Sequence, residues 1–465
     1  MKWFATIAVC FLSAVVLCNT DASALKPTME GEGTISWPSV QGNSTGTLTV
    51  SGTVDLSGGK ARREKFPDIP AWIVSKDFDG NGKSEPGILF NDGTLRILSL
   101  ENDRLRTISS VRKLAPASPP IVLPDLGSDS NGGLAGVDDR GDLVTIDYQT
   151  GRTRRLAGGF SPLTYPTGAD LDGDGSYDIA AVNDKGKLTV VRGPTLTRSE
   201  SSTELLPDTR IIALDLDGKP GLEMAAFTSP TDEKAPGRLG DDLEAKGFAV
   251  FSWDGRSVKL EDQYLLDEGE LFEMILPVAV TDPEDERPQL MFTVSGKDGR
   301  TGVRSYTFDT GRLRQRRKGP VIGDGMWIHP LGGAIFGDSD RVSLAAAVLP
   351  EEGDGDLELY RVDLAQTRLT LRGAVRSQQT GSRLMETSLV GDFNRDGRID
   401  LLVPGPGMKS VRIITLEGSR LKAREIFNAS GRISTNFCPG DYDGDGNLDI
   451  MFGLDDGTVV ILQGE

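Results

Sequence analysis

The sequence predicts an all-β protein assembled from one four-stranded unit used many times over. Three observations predict it. Five stretches spell nearly the same nine residues, they recur at a near-constant interval, and 57 glycines accompany short apolar runs with few long helical patterns. The stretches run D-F-D-G-N-G-K-S-E from Asp77, D-L-D-G-D-G-S-Y-D from Asp170, D-L-D-G-K-P-G-L-E from Asp215, D-F-N-R-D-G-R-I-D from Asp392 and D-Y-D-G-D-G-N-L-D from Asp441.

In chain order, residues 1–24 read as a cleavable export signal. Lys2 is the basic start, residues 5–17 are an apolar run too short to span a bilayer, and Ala22-Ser23-Ala24 is the cleavage site. Cys18 follows Leu17, where a lipoprotein site wants a small residue. No later stretch approaches the roughly 18 apolar residues of a membrane span, so a secreted or periplasmic chain without an integral membrane segment is expected. Cys10 and Cys18 leave with the signal, and Cys438 remains alone as a buried small hydrophobe. Without disulfides, bound metal is the expected staple. The formal charge is −18, and losing Lys2 and Asp21 with the signal leaves it unchanged. That balance argues against nucleic acid and anionic lipid as partners.

The intervals give the architecture. From 170 to 215 is 45 residues and from 392 to 441 is 49, while 77 to 170 is 93, two periods, with a decayed loop at Asp125 between them. From 215 to 392 is 177, room for three longer periods, with decayed loops near Asp282 and Asp338. Eight repeats follow, near 60–117, 118–160, 161–205, 206–265, 266–318, 319–376, 377–430 and 431–465, inside a single domain over 25–465. In the third, a strand at 165–169 leads into the loop, 179–182 leads out, Asn183-Asp184-Lys185-Gly186 turns, and 187–191 alternates. The first repeat matches, with 72–75, 87–90, the turn Asn91-Asp92-Gly93 and 94–98. A buried inner strand and a wetter outer one make a propeller blade. The expectation is an eight-bladed β-propeller, with seven blades and one merged repeat as the alternative. The last repeat has three strands, and the N-terminal segment 45–56 is expected to supply its outer strand and close the ring. The Pro- and Gly-rich insert 228–246 reads as an exposed loop, with 238–246 a candidate short helix.

Alternate oxygen side chains with Gly at the sharp bends are what Ca²⁺ requires. Positions 1, 3, 5 and 9 would give side-chain oxygens and position 7 a backbone carbonyl. The predicted ligands are Asp77, Asp79, Asn81, Lys83 and Glu85; Asp170, Asp172, Asp174, Ser176 and Asp178; Asp392, Asn394, Asp396, Arg398 and Asp400; and Asp441, Asp443, Asp445, Asn447 and Asp449. Three to four Ca²⁺ sites are expected. In the Asp215 loop, Lys219 at position 5 would pair with Asp215, Asp217 and Glu223 in place of an ion. An EF-hand needs a Glu at position 12, where these loops have Ile88, Ala181, Val403 and Phe452. Mg²⁺, which prefers a small octahedral shell rich in water, fits less well.

These loops, each followed by an apolar strand, resemble the FG-GAP and VCBS-type repeats of calcium-binding β-propellers, of which integrin α-subunit heads are familiar relatives. The resemblance implies calcium-stabilised blades and a role in binding or adhesion. The Gly-Ala-Pro element of the integrin version is missing, and no leg domains or membrane span follow.

Other signals are weaker. Arg140-Gly141-Asp142 sits where other repeats have a hairpin turn. The run 312–318 (R-L-R-Q-R-R-K) reads as a solvated outer strand, with a polyanion patch as the alternative. Asn43 and Asn428 begin glycosylation sequons. His329 is the only His, so no nucleophile–His constellation is visible, and an enzyme is not expected. The expected function is a monomeric binding or adhesion scaffold for a protein or glycan. A polysaccharide lyase or hydrolase on a propeller, and a structural module of a surface assembly, are the alternatives.

Overall fold

The computed structural model describes residues 48–465 except 124–132, 194, 234–237, 241, 282–286, 324, 338, 340 and 362–366. The export signal, Asn43 and the decayed loop at Asp125 lie outside these residues, as do parts of those at Asp282 and Asp338. Apart from one 3-10 turn, Pro406–Met408, the described elements are all strands. No described helix is long and apolar enough to cross a membrane.

The strands form antiparallel meanders. Pro70–Lys76, Glu85–Phe90, Leu95–Glu101 and Arg104–Val111 pair in chain order, and four more sheets have four strands each. Within a unit the second strand is the most enclosed: Glu85–Phe90, Asp178–Val182, Asp400–Pro404 and Asp449–Gly453 are buried at every position. The fourth is wet, as in Arg104–Val111, because it has a sheet neighbour on one side only. A nine-stranded sheet is two such meanders, 212–265 and 278–322, bridged by Leu271–Phe272.

The N-terminal segment departs from expectation. Leu48–Thr53 runs parallel to Leu389–Asp392, giving that sheet five strands. The outer strand of the last unit is instead Ala61–Lys65, antiparallel to Thr458–Leu462. The cause is anchoring: Val54 N and Leu56 N donate to Asp392 O and Phe393 O at 3.0 Å, both side chains are 1% exposed, and the strand that pairs with Thr458–Leu462 begins only beyond the turn after Leu56. First and last units touch, since the Asn436 side chain accepts from Ile73 N at 3.0 Å and donates to Ile73 O at 2.9 Å.

The insert after Phe227 also differs. Its arms extend the hairpin of Glu223–Thr231 and Glu244–Trp253, and residues 244–246 are strand, not helix. It is not simply exposed: Leu239 is 1% accessible, and Arg238 lies over the Trp327 ring and donates to Leu349 O and Pro350 O. An apolar side chain and an arginine stem with carbonyl partners seal it onto another unit.

Residues 376–388 link Thr367–Val375 to Leu389–Asp392 and reach strands distant in sequence. Arg210 Nε donates to Glu386 Oε1 at 2.8 Å with both side chains 1% exposed, and Arg210 Nη1 and Nη2 donate to Asp208 O (3.0 Å) and Arg383 O (2.6 Å). The guanidinium covers the Tyr165 ring at 3.2 Å, and Met385 N donates to Glu386 Oε2 at 2.9 Å. Beside them, buried His329 shares a 2.8 Å hydrogen bond between Nδ1 and Ser377 Oγ.

Candidate metal centres

Each acidic loop joins the first and second strands of a unit, for example Thr167–Ala169 to Asp178–Val182. The turn is tight because position 4 is left-handed: Gly80, Gly173, Gly218 and Gly444 have φ of 73–78°. The Asp392 loop has Arg395 there, at φ 55°. The first carboxylate collects backbone N–H groups. Asp77 accepts from Gly80 N (2.7 Å) and Gly82 N (2.9 Å), Asp441 from Gly444 N (2.7 Å) and Gly446 N (3.0 Å), and Asp170, Asp215 and Asp392 from Gly175, Gly218 and Gly397. The ninth residue turns back onto position 2: Glu85 accepts from Phe78 N (2.7 Å), Glu223 from Leu216 N (2.8 Å) and Asp449 from Tyr442 N (3.1 Å).

This wrapping draws carboxylates together. Among the described residues, oxygens of Asp77, Asp79 and Glu85, of Asp170, Asp172 and Asp174, of Asp215, Asp217 and Glu223, and of Asp441, Asp443 and Asp449 each lie within 4.8 Å of one another. Asp392, Asp396 and Asp400 do not form such a group. Position 3 there is Asn394, whose Oδ1 accepts from Asp396 N at 2.9 Å. The Asp215 loop gathers its acids despite Lys219. That ammonium contacts Asp217 and stays 75% exposed, so it does not fill the middle of the group as the sequence suggested. Asn81, Asp445 and Asn447 sit on the exposed side of their loops, where Asp445 Oδ1 accepts from Asn447 N at 2.8 Å. Lys83 and Arg398, predicted to offer carbonyls, lie at the corresponding bends, as does Ser176. The Lys83 side chain crosses to the next loop and donates to Asp443 O at 2.8 Å.

The electrostatics favour a cation. Burial pushes Glu85, Asp178, Glu223 and Asp449 up to about 7 and Asp400 to about 8, and neighbouring carboxylates in each loop add to the shift. Asp178 Oδ2, in a residue 1% exposed, has no hydrogen-bond partner, nor do Asp170 Oδ1 and Asp400 Oδ2. Such oxygens lack the compensation that a buried acceptor requires. The donor set, all oxygen and mostly anionic, suits a hard divalent ion. Partial compensation comes from within: Arg192 pairs with Asp174 (2.6 Å) and Asp172 (3.3 Å), and Gln463 Nε2 donates to Asp443 at 2.8 Å.

Sequence reading missed Arg192, Gln463 and a repeated hydroxyl. Thr164, Thr209 and Thr435 accept from Val182 N, Phe227 N and Gly453 N at 2.7–3.0 Å, fixing the chain entering the unit to its second strand. Each of these Thr lies six residues before the first Asp of its loop, Asp170, Asp215 or Asp441, a spacing visible once the repeats are aligned. Arg140-Gly141-Asp142 is a tight turn: Gly141 has φ 78°, a Cβ there would come within 2.5 Å of Phe160 O, and Asp142 pairs with Arg155 at 2.9 Å.

Residues 392–452 match the family described as FG-GAP-like repeat. A comparison with curated proteins finds no match. Among solved structures, Sqt1 of Saccharomyces cerevisiae is 11% identical with a TM-score of 0.49 over 89% of this chain and 99% of that one. Quinohemoprotein alcohol dehydrogenase of Comamonas testosteroni is 11% identical with a TM-score of 0.48 over 90% and 79%. BBS1N, in its complex with ARL6DN, is 10% identical with a TM-score of 0.42 over 89% and 96%. Residues 392–452 hold two of the five acidic loops and the strands between them, and the same loop and meander recur along the described chain. The protein is an all-β repeat protein of antiparallel meanders, and its residues 392–452 are similar to an FG-GAP-like repeat.

Proposed function

We propose that this is an exported, monomeric, eight-bladed propeller, stabilised by Ca²⁺, that serves as a binding scaffold for a protein or glycan. The observation that carries the calcium reading is the buried, unpartnered Asp178 oxygen beside the gathered Asp170, Asp172 and Asp174. Asp77, Asp79 and Glu85, and Asp441, Asp443 and Asp449, would hold further ions. A bound divalent ion supplies positive charge that removes repulsion among the carboxylates. The loops then join first and second strands without strain. Eight blades follow when the bridged nine-stranded sheet is taken as two units and Ala61–Lys65 completes the last. Contact between Asn436 and Ile73 supports closure of the ring.

A scaffold role is supported by the FG-GAP-like repeat and by how the central titratable groups are used. His329 and Ser377 are both fully buried, so their hydrogen bond holds the chain together with no access for a substrate. The test is capture of partners from the native cell surface with and without Ca²⁺, alongside melting curves. Ca²⁺ should raise the melting temperature and increase capture. A melting temperature indifferent to excess EDTA would overturn the calcium reading, and hydrolysis of an offered polysaccharide would overturn the scaffold reading.

A further inference from the structure

Charge is segregated between the loops and the rim. The eight outermost strands of the four-stranded units hold 19 Lys and Arg against 6 Asp and Glu. The whole chain has 51 against 69. Most of these strands carry one to three cations, which is what an open sheet edge needs to discourage pairing with another chain. Arg312–Ile322 carries five within seven residues, more than edge protection requires.

Its geometry exposes them. Tyr306 pairs with Gln315 and Ser305 with Arg317, so Arg316 is an extra residue in a bulge. A bulge breaks the alternation of faces, and Arg316, Arg317 and Lys318 are all exposed in succession, as is Arg314. Arg312 is held by Asp262 at 3.2 Å, and Asp262 also accepts from Leu313 N at 2.7 Å, which pins the start of the strip to the neighbouring outer strand Val258–Leu265. The strip is fixed and narrow.

We propose that Arg312–Ile322 docks a linear acidic polysaccharide, with Arg314, Arg317 and Lys318 pairing with its carboxylates or sulfates. This narrows the binding reading above to one surface and one ligand class, and rests on that reading only in taking the chain to bind a ligand. The register sets Arg314 and Arg317 opposite Thr307 and Ser305, two positions apart on the partner strand and so roughly 7 Å apart on one face, with Lys318 next to Arg317 on the exposed rim, a short run of cations that a single chain can follow. A wide polyanion, such as a DNA duplex or a vesicle, would bring further negative charge against a molecule of net charge −18. A single chain at the rim presents little charge beyond the screening length of about 8 Å. Within Arg312–Ile322 itself, Val321 is the one large exposed hydrophobic, so the cationic strip offers an acidic peptide little apolar anchorage.

The experiment uses the full chain and calorimetric titration with dextran sulfate, polygalacturonate and neutral dextran, at about 0.05 M and 0.5 M NaCl. Binding to either acidic polymer, absent with neutral dextran and weakened by salt, is expected. R314E/R317E/K318E should weaken it at least about tenfold, and the neutral R314Q/R317Q/K318Q by less, with melting unchanged. R140E/K185E/K297E changes net charge equally, at turns between second and third strands away from the rim, and should retain binding. Equal loss in that control, or equally tight binding of duplex DNA or phosphatidylserine vesicles, would overturn the proposal. So would binding to neither acidic polymer while calcium-dependent capture of a partner persists, an outcome that leaves the scaffold reading intact.

Discussion

Two regions of this protein bury charge in opposite ways. Around residues 376–388, Arg210 and Glu386 come with each other, and both ends of the pair are also hydrogen-bonded to the backbone. In the Asp170 loop, buried carboxylates come mainly with more carboxylates, and two of their oxygens have no partner. The first region is neutralised by the sequence itself. The second has no such internal partner, and in the function proposed above an ion from solution completes it. The difference teaches that a buried charge is informative chiefly through what it lacks.

The sharpest way to break the contrast is to orphan one member of the internal pair. Glu386→Ala should cost about 3–5 kcal/mol, because it strands a buried guanidinium, and calorimetry or urea unfolding should find the same loss with Ca²⁺ and with EDTA. Dependence on Ca²⁺ would place the pair in the same class as the loops. Asp178→Asn comes next. With free Ca²⁺ about a hundredfold above the dissociation constant, loss of one site should cost about 2.7 kcal/mol. In excess EDTA the variant should be at least as stable as wild type, because the amide removes a buried charge held among like charges. A cost that survives the chelator would show that the carboxylate acts through the chain alone.

The pH response separates the regions further. Burial lowers His329 to about 3, so the folded state resists a proton that the unfolded chain binds near 6.5. Stability from this group is complete above pH 6.5 and declines as pH falls toward 3, by about 2 kcal/mol at pH 5. His329→Gln should flatten that part of the pH profile measured by urea unfolding in EDTA, and an unchanged slope would assign it to other groups. The smallest effect belongs to Lys219, which is exposed beside Asp217. Lys219→Asn should leave melting in EDTA nearly unchanged and add a further Ca²⁺-dependent rise. No added rise would mean that the Asp215 group cannot hold an ion even without its ammonium.

The acidic loops and the meander were legible in the sequence because both are local. Ligand spacing, the glycine at position 4 and the apolar strand that follows lie within a dozen residues. The order of strands around Asp170 is as the pattern predicts. Gathering of carboxylates was less legible. Asp392 shares its spacing with Asp441, yet Asn394 and a left-handed Arg395 replace the acid and the glycine that the other loop has. The closing strand was misplaced because 47–54 alternates cleanly while Ala61–Lys65 is nearly all charged. An outermost strand has little to bury, so its pattern carries little signal. Arg210 and Glu386 are 176 residues apart, and no local rule joins them.

The pairing of Ala61–Lys65 with Thr458–Leu462 has a kinetic consequence. That sheet cannot form on a growing polypeptide until residue 462 has emerged, so earlier units must wait with one neighbour missing. Closure over such a long span is slow, and an unmatched flank invites association with other chains meanwhile. Folding of this protein should therefore finish in one late step, once residues 458–462 are free to pair, and a strand peptide copying 61–65 is the simplest reagent with which to intercept it.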